Sequence, residues 1–489
     1  MKKLKDTMLI DEYELKMGQT YYDAGLKDTE VVFDAFFRRN PFKGGYTISG
    51  GIDNIVDYIN DLKFDKDDIE YLRSTCAYSE EYLKYLENFK FTGSIYAFAD
   101  GTPIFPNEPI ITVKAKIIEA QIIETALLSH FNHASLVTTA AKRITDAAKG
   151  RAVMEFGARR ARGTFSAYEA SKYAIVGGCS GTSNVKAAKD MDMKALGTMA
   201  HSLVTLYHDE REAFIAFAKS NPDNALFLVD TYDTLRSGVP NAIWVAENFL
   251  KPNGIKFKGI RIDSGDLAYL SKEARKMLDD AGYTDAQICL SNGLNEYTIT
   301  SLIEQGACFN SLGVGDNIAA SLDRVDGVYK LVAVKEKDKF IPRIKVSNDA
   351  AKTINPGFKK VIRFYDKKTG YALADVITLN DEIVDKERYT LISQSNEWKT
   401  KEITDYEIRE LQVPIFIDGK QVYKVPSTLE RQKYCKGQME TLYPEVRRLT
   451  NPHIYYVDLS KNLLQLKKKL IEEHVNFEER GYSYVKKRF

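Results

Sequence analysis

The chain has 489 residues, enough for about three domains, with 44% hydrophobic and 28% charged residues, the composition of a globular protein. Its net charge of +1 supplies no field that would draw it to nucleic acid or to a membrane surface. No apolar run reaches the ~18 residues a membrane span needs, and the opening MKKLKDTMLIDEY lacks the apolar core of a secretion signal. The five cysteines are scattered without a CxxC pair and read as reduced thiols of a cytoplasmic protein. His130 and His133 are the one close histidine pair, and with no acidic or cysteine partner nearby they read as structural.

In chain order, residues 8–25 carry Leu9, Tyr13, Met17 and Tyr21 on one face of a predicted helix, with Asp11 as its N-cap. Leu9 and Met17 are expected in the core. Residues 31–38 read as a strand, 52–62 and 79–89 as helices, and 91–113 as a β-rich stretch with turns at Thr102-Pro103 and Asn107-Glu108-Pro109. A long helix is expected from Glu119 through Lys142, closing an N-terminal α+β domain at residue 145.

From 146 to 344, strands alternate with helices: 152–156, 194–198, 225–230, 259–262, 287–291 and 309–312, with helical runs such as 209–219, 267–281 and 296–305 between them. Such alternation implies a parallel sheet, and its repetition an irregular β/α barrel, whose chemistry sits at the C-terminal ends of the strands. Polar residues gather at those ends: Glu155-Phe156-Gly157, Thr198 to His201, Asp230-Thr231, Arg261 to Ser264, Ser291-Asn292-Gly293 and Gly313 to Asp316. Residues 345–489 are expected to form an appended C-terminal domain, with strands at 360–365, 371–376 and 413–417, a hairpin turn at Asp418-Gly419, helices at 427–442 and 459–474, and no chemical constellation.

Two glycine-rich ends, 177–183 and 313–316, precede predicted helices. Glycines let amides approach an anion, so they read as a phosphate site, with Arg159, Arg160, Arg162 and Arg261 as its basic side. His201 in GTMAHS, beside Thr198 and Ser202, is a candidate nucleophile or proton shuttle.

Six motifs in order, EFGARRARG (155–163), GGCSGTSNV (177–185), GTMAHS (197–202), DTYDTLRSGVPNA (230–242), GIRIDSGDL (259–267) and LGVGDN (312–317), make the chain resemble the nicotinate phosphoribosyltransferases of the longer bacterial type over nearly its whole length. The resemblance implies the joining of nicotinate and 5-phosphoribosyl-1-pyrophosphate into nicotinate mononucleotide and pyrophosphate, coupled to ATP hydrolysis, with Mg²⁺ accompanying the pyrophosphate, in NAD salvage. It implies that His201 is phosphorylated by ATP. Phe156 and Tyr13 would sandwich the pyridine ring, Tyr13 reaching over from the second subunit of a homodimer. Arg159, Ser183, Thr198 and Arg261 would bind nicotinate or phosphoribosyl groups. Asp263 would hold ribose hydroxyls or the metal, and Ser264, Asn292, Gly293, Gly313, Gly315 and Asp316 complete the expected substrate-binding set. The metal ligands themselves stay unassigned.

Overall fold

The computed structural model describes residues 6–347, 353–392 and 398–475. Helices follow the apolar spacing closely. Ile52–Asp61 buries Ile52, Ile55, Val56 and Ile59 on one face, and Leu267–Asp280 buries Leu267, Ala274 and Leu278. Side-chain caps start several of them: Asp266 accepts from the amides of Ala268 and Tyr269, and Ser79 from Tyr82. The long helix expected after Glu119 is broken at Ile123 into Ile117–Ile122 and Glu124–Ala147. Leu9 and Met17 are exposed rather than in the core: periodicity identifies a face of the 12–23 helix but not what covers it.

Contacts gather the chain into two units, one of residues 1–136, 323–426 and 434–489, the other of 137–322 and 427–433. The stretches that sequence sets apart as N- and C-terminal domains share the first unit because they share a sheet. Its seven strands run Lys339–Pro342, Val328–Glu336, Glu30–Phe36, Ile111–Lys116, Ser94–Phe98, Gln412–Ile417 and Lys420–Gln421, all neighbours antiparallel. Asp418 and Gly419, both at positive φ, make the tight turn between the last two strands. A second, four-stranded sheet in the same unit holds Tyr406–Glu410, Lys359–Asp366, Ala372–Leu379 and Val457–Leu459. At its centre the fully buried Arg363 makes a two-pronged pair with Asp375, at 2.7 and 2.6 Å, and Tyr455 donates to the same carboxylate at 2.9 Å. Buried His130 faces Asp6 at 3.5 Å, in keeping with a structural role.

The second unit is built on a parallel sheet ordered Gly181–Thr182, Ala152–Glu155, Ser311–Val314, Gln287–Ser291, Gly259–Ile262, Leu226–Leu228. Its central strands are apolar almost throughout, as strands covered on both faces must be. Five of the six expected strands are present. The sixth, 194–198, is irregular chain: it touches the sheet edge through one bond, Leu196 N–H to the Thr182 carbonyl at 2.8 Å, and the edge strand is instead Gly181–Thr182. Among the described residues no helix is long and apolar enough to cross a membrane.

Candidate active site

All strands of the parallel sheet point the same way, so their C-terminal ends form one edge, and the polar ends converge there. Arg261 is the hub. It lies in register with Cys289 on one side and Leu228 on the other, and its guanidinium is fixed at three corners. Nε donates to Ser291 Oγ at 2.8 Å, Nη1 to Thr198 Oγ1 at 3.1 Å and Nη2 to Asp263 Oδ1 at 2.9 Å. Ser291 in turn donates to Asp263. The guanidinium carbon sits 5.5 Å from the centre of the Phe156 ring. A side chain held at every nitrogen keeps one orientation.

His201 opens a short helix, His201–Leu206. Its Nδ1 lies 3.1 Å from Thr231 Oγ1, and Nε2 lies 3.8 Å from Asp263 Oδ2 and 4.0 Å from Asp230 Oδ1. The Asp230 side chain is almost fully buried. Its Oδ2 accepts from the Asp263 amide at 3.0 Å and from the Ser264 hydroxyl at 2.6 Å, while Oδ1 has no hydrogen-bond partner among the described residues. Asp230 is the residue the sequence undervalues. It stood out as one polar strand end among six and as the start of one motif, yet it holds the Asp263-Ser264 turn and stands 4.0 Å from the histidine.

Glu155, wholly buried, organises the neighbouring end. It accepts from the Gly157 amide and, at 2.5 Å, from the Thr182 hydroxyl, which fixes the turn carrying Phe156. Gly313 leaves room for the Phe156 ring: a Cβ there would meet two ring carbons at 2.6 Å. Ser183 is held by its amide on the Glu155 carbonyl at 3.0 Å, and the cap of the helix Val185–Asp190 is Asn184, not Ser183. Asn292 and Gly293 stand at positive φ after the Gln287–Ser291 strand, and Gly315 precedes the brief helix Asp316–Ala319, with Asp316 exposed. Arg159 is exposed on the turn after Phe156. The structure thus brings Arg261, Asp263, Ser264, Thr198, His201 and Phe156 together. Tyr13 belongs to the other unit, on the helix Glu12–Asp23.

Sequence models of three parts of one family match this chain: the nicotinate phosphoribosyltransferase N-terminal domain over residues 8–132, the nicotinate phosphoribosyltransferase family over 151–384, and the C-terminal domain over 358–467. The nicotinate phosphoribosyltransferase of Bacillus subtilis (strain 168) is 41% identical, over 95% of this chain and 94% of its own. That of Homo sapiens is 29% identical over 94% of this chain and 95% of its own. The crystal structure of human nicotinic acid phosphoribosyltransferase superposes with a TM-score of 0.84 at 27% identity, covering 95% of this chain and 100% of that one. A nicotinate-nucleotide pyrophosphorylase from Pyrococcus furiosus, at 23% identity and a TM-score of 0.69, shares the fold. With the models spanning most of its length and relatives matched nearly end to end, the chain belongs to the nicotinate phosphoribosyltransferase family.

Proposed function

We propose that the chain transfers a phosphoribosyl group from 5-phosphoribosyl-1-pyrophosphate to nicotinate, giving nicotinate mononucleotide and pyrophosphate in cytoplasmic NAD salvage. The observation that carries this reading is the rigid Arg261–Asp263–Ser291 group within 4 Å of a histidine at the C-terminal edge of a parallel sheet. In the transfer, the pyridine nitrogen bonds to the ribose anomeric carbon while the bond to pyrophosphate breaks. The sugar is cationic in the transition state, so no protein nucleophile is required; positioning and charge stabilisation carry the catalysis. Arg261 would face the phosphates, Asp263 and Ser264 the ribose hydroxyls, and Phe156 and the partner subunit's Tyr13 the two faces of the pyridine ring. Thr198, Arg159, Asn292, Gly293, Gly313, Gly315 and Asp316 would line the substrate, and Ser183 would face the nicotinate carboxylate.

His201 takes the phosphoryl group of ATP in this reading. With Nδ1–H donating to Thr231, Nε2 carries the lone pair: the Nε2–phosphorus bond forms as the bond from the γ-phosphorus to ADP breaks, and water later cleaves the phosphohistidine. About two negative charges then appear beside the polyanionic donor's site and change its affinity, coupling ATP to turnover. Mg²⁺ fits the donor set here, since it is held through one or two carboxylates and substrate phosphates. Asp263 and the unpartnered Oδ1 of Asp230 would hold it, and it would neutralise the departing pyrophosphate. The test measures nicotinate mononucleotide with and without ATP, beside quinolinate as the competing acid. Nicotinate conversion stimulated by ATP is expected; carbon dioxide release from quinolinate would overturn the reading.

A further inference from the structure

The helix that carries Tyr13 begins unusually. Its N-cap, Asp11, makes no side-chain capping bond. In a capping box the third helical residue reaches back to the N-cap amide. Here that residue is Glu14, and it reaches back through an intermediary. The Thr125 hydroxyl, at the start of the helix Glu124–Ala147, accepts the Asp11 N–H at 3.4 Å and donates to Glu14 Oε1 at 2.5 Å. The ring closes through Glu14 N–H on the Asp11 carbonyl at 2.9 Å. Glu14 is fully buried, and its second oxygen has no hydrogen-bond partner among the described residues. Tyr13 sits inside this ring of bonds yet is 46% exposed, on the same open face as Leu9 and Met17.

We propose that Glu14 and Thr125 are positioning residues for nicotinate: the relayed capping box fixes the first helical turn, and so the ring of Tyr13, in the orientation that stacks on the pyridine. This rests on the reading of Tyr13 given above. The relay is sensitive to pH. Burial pushes the Glu14 carboxyl up to about 8; Glu124 and Asp11 push the same way, and the Thr125 hydroxyl opposes them. The Tyr13 hydroxyl itself hydrogen-bonds to Glu124, and the other groups facing this cluster are the hydroxyls of Tyr21, Tyr58 and Tyr329, with Lys330 beside Glu124. Below that pH Glu14 is neutral. Above it, a buried charge arises next to two carboxylates, and the first turn loosens. The carboxyl and ring nitrogen of nicotinate do not titrate in this range.

The experiment follows KM for nicotinate and kcat from about pH 6.5 to 9.5, the range spanning the Glu14 titration. In the wild type, KM is expected to rise about threefold or more above pH 8 while kcat holds. Glu14→Gln, which cannot ionise, should remove that rise. Thr125→Val, which keeps shape and loses the relay, should raise KM about fivefold across the range and speed amide exchange in residues 12–23, whereas Thr125→Ser should restore both. A Glu14→Gln profile parallel to wild type, or a Thr125→Val enzyme with unchanged KM and exchange, overturns the proposal. Tyr13→Ala separates the two layers. If it leaves KM unchanged, the stacking role of Tyr13 fails; if it raises KM while the Glu14 and Thr125 variants behave as wild type, only the relay fails.

Discussion

His201 and Ser183 carry the two sharpest expectations at the scale of single residues. Replacing His201 with Ala removes the atom that would receive phosphate. ATP hydrolysis should vanish while a slow, ATP-independent transfer remains, because Arg261 keeps its three anchors. Phosphate release and nicotinate mononucleotide formation, measured side by side, check this; undiminished hydrolysis would exclude the phosphohistidine. Ser183 is not spent on capping, since Asn184 does that. Ser183→Asp would set a carboxylate against the nicotinate carboxylate, a like-charge contact in a partly dry site. A roughly tenfold rise in KM for nicotinate, about 1.4 kcal/mol, is expected from steady-state kinetics. Wild-type behaviour toward nicotinate would remove Ser183 from the recognition set.

Elements decide how well these residues are aimed. Two glycines give contrasting tests. At Gly313 an added Cβ meets the Phe156 ring first, at 2.6 Å, and Ser291 Cβ at 3.3 Å, both side-chain atoms, and a ring can turn away. On the proposed stacking of Phe156 against the pyridine, Gly313→Ala should raise KM for nicotinate several-fold with little change in melting temperature, because the ring gives way rather than the backbone. At Gly238 the Cβ would meet the Val229 carbonyl oxygen at 1.8 Å, and backbone cannot step aside. Gly238→Ala should lower the melting temperature markedly; calorimetry on the pair distinguishes aim from architecture. The same scale shows what sequence reveals. Apolar strands ending in Gly, Asp, Ser or Arg were legible because burial and chemistry alternate sharply there, which placed Arg261 and Asp263 at one edge; His201 reaches the same edge from the start of a short helix, not from the strand end that its motif suggested. The 194–198 run misled because extended chain beside a sheet has a strand's composition without its ladder. Asp230 was visible as a residue but not as a centre, since its importance lies in a buried orientation toward the Asp263 amide and Ser264. Leu9 and Met17 show the converse: spacing marks a face, and only the structure tells that the described residues leave it open.

The molecule as a whole is held by groups whose charge state matters. Beside the buried Arg363–Asp375 pair lies Glu108, also fully buried. Burial, and then the Asp375 carboxylate, push the Glu108 carboxyl well above its ordinary value of 4.5. Folding therefore favours its protonated form. Its contribution is complete below that ordinary value and declines as pH rises above it, while the unfolded chain ionises freely. Melting temperature should fall from about pH 5 upward, and Glu108→Gln should flatten that fall; equal slopes for the two proteins would locate the dependence elsewhere.

The seven-stranded sheet has a consequence for how the chain is made. Its strands are drawn from both ends, Glu30–Phe36 near the start and Gln412–Ile417 near the finish, whereas all six strands of the parallel sheet lie between residues 152 and 314. On a ribosome the later-numbered unit can assemble its sheet first, and the earlier one must wait as an unfinished scaffold with open strand edges until residue 417 has emerged. Nascent chains arrested just after residue 360, with the tunnel covering their last stretch, should protect the parallel sheet from protease while the Ser94–Phe98 edge stays cleavable; equal protection of both would show that the first sheet stands without its last strands.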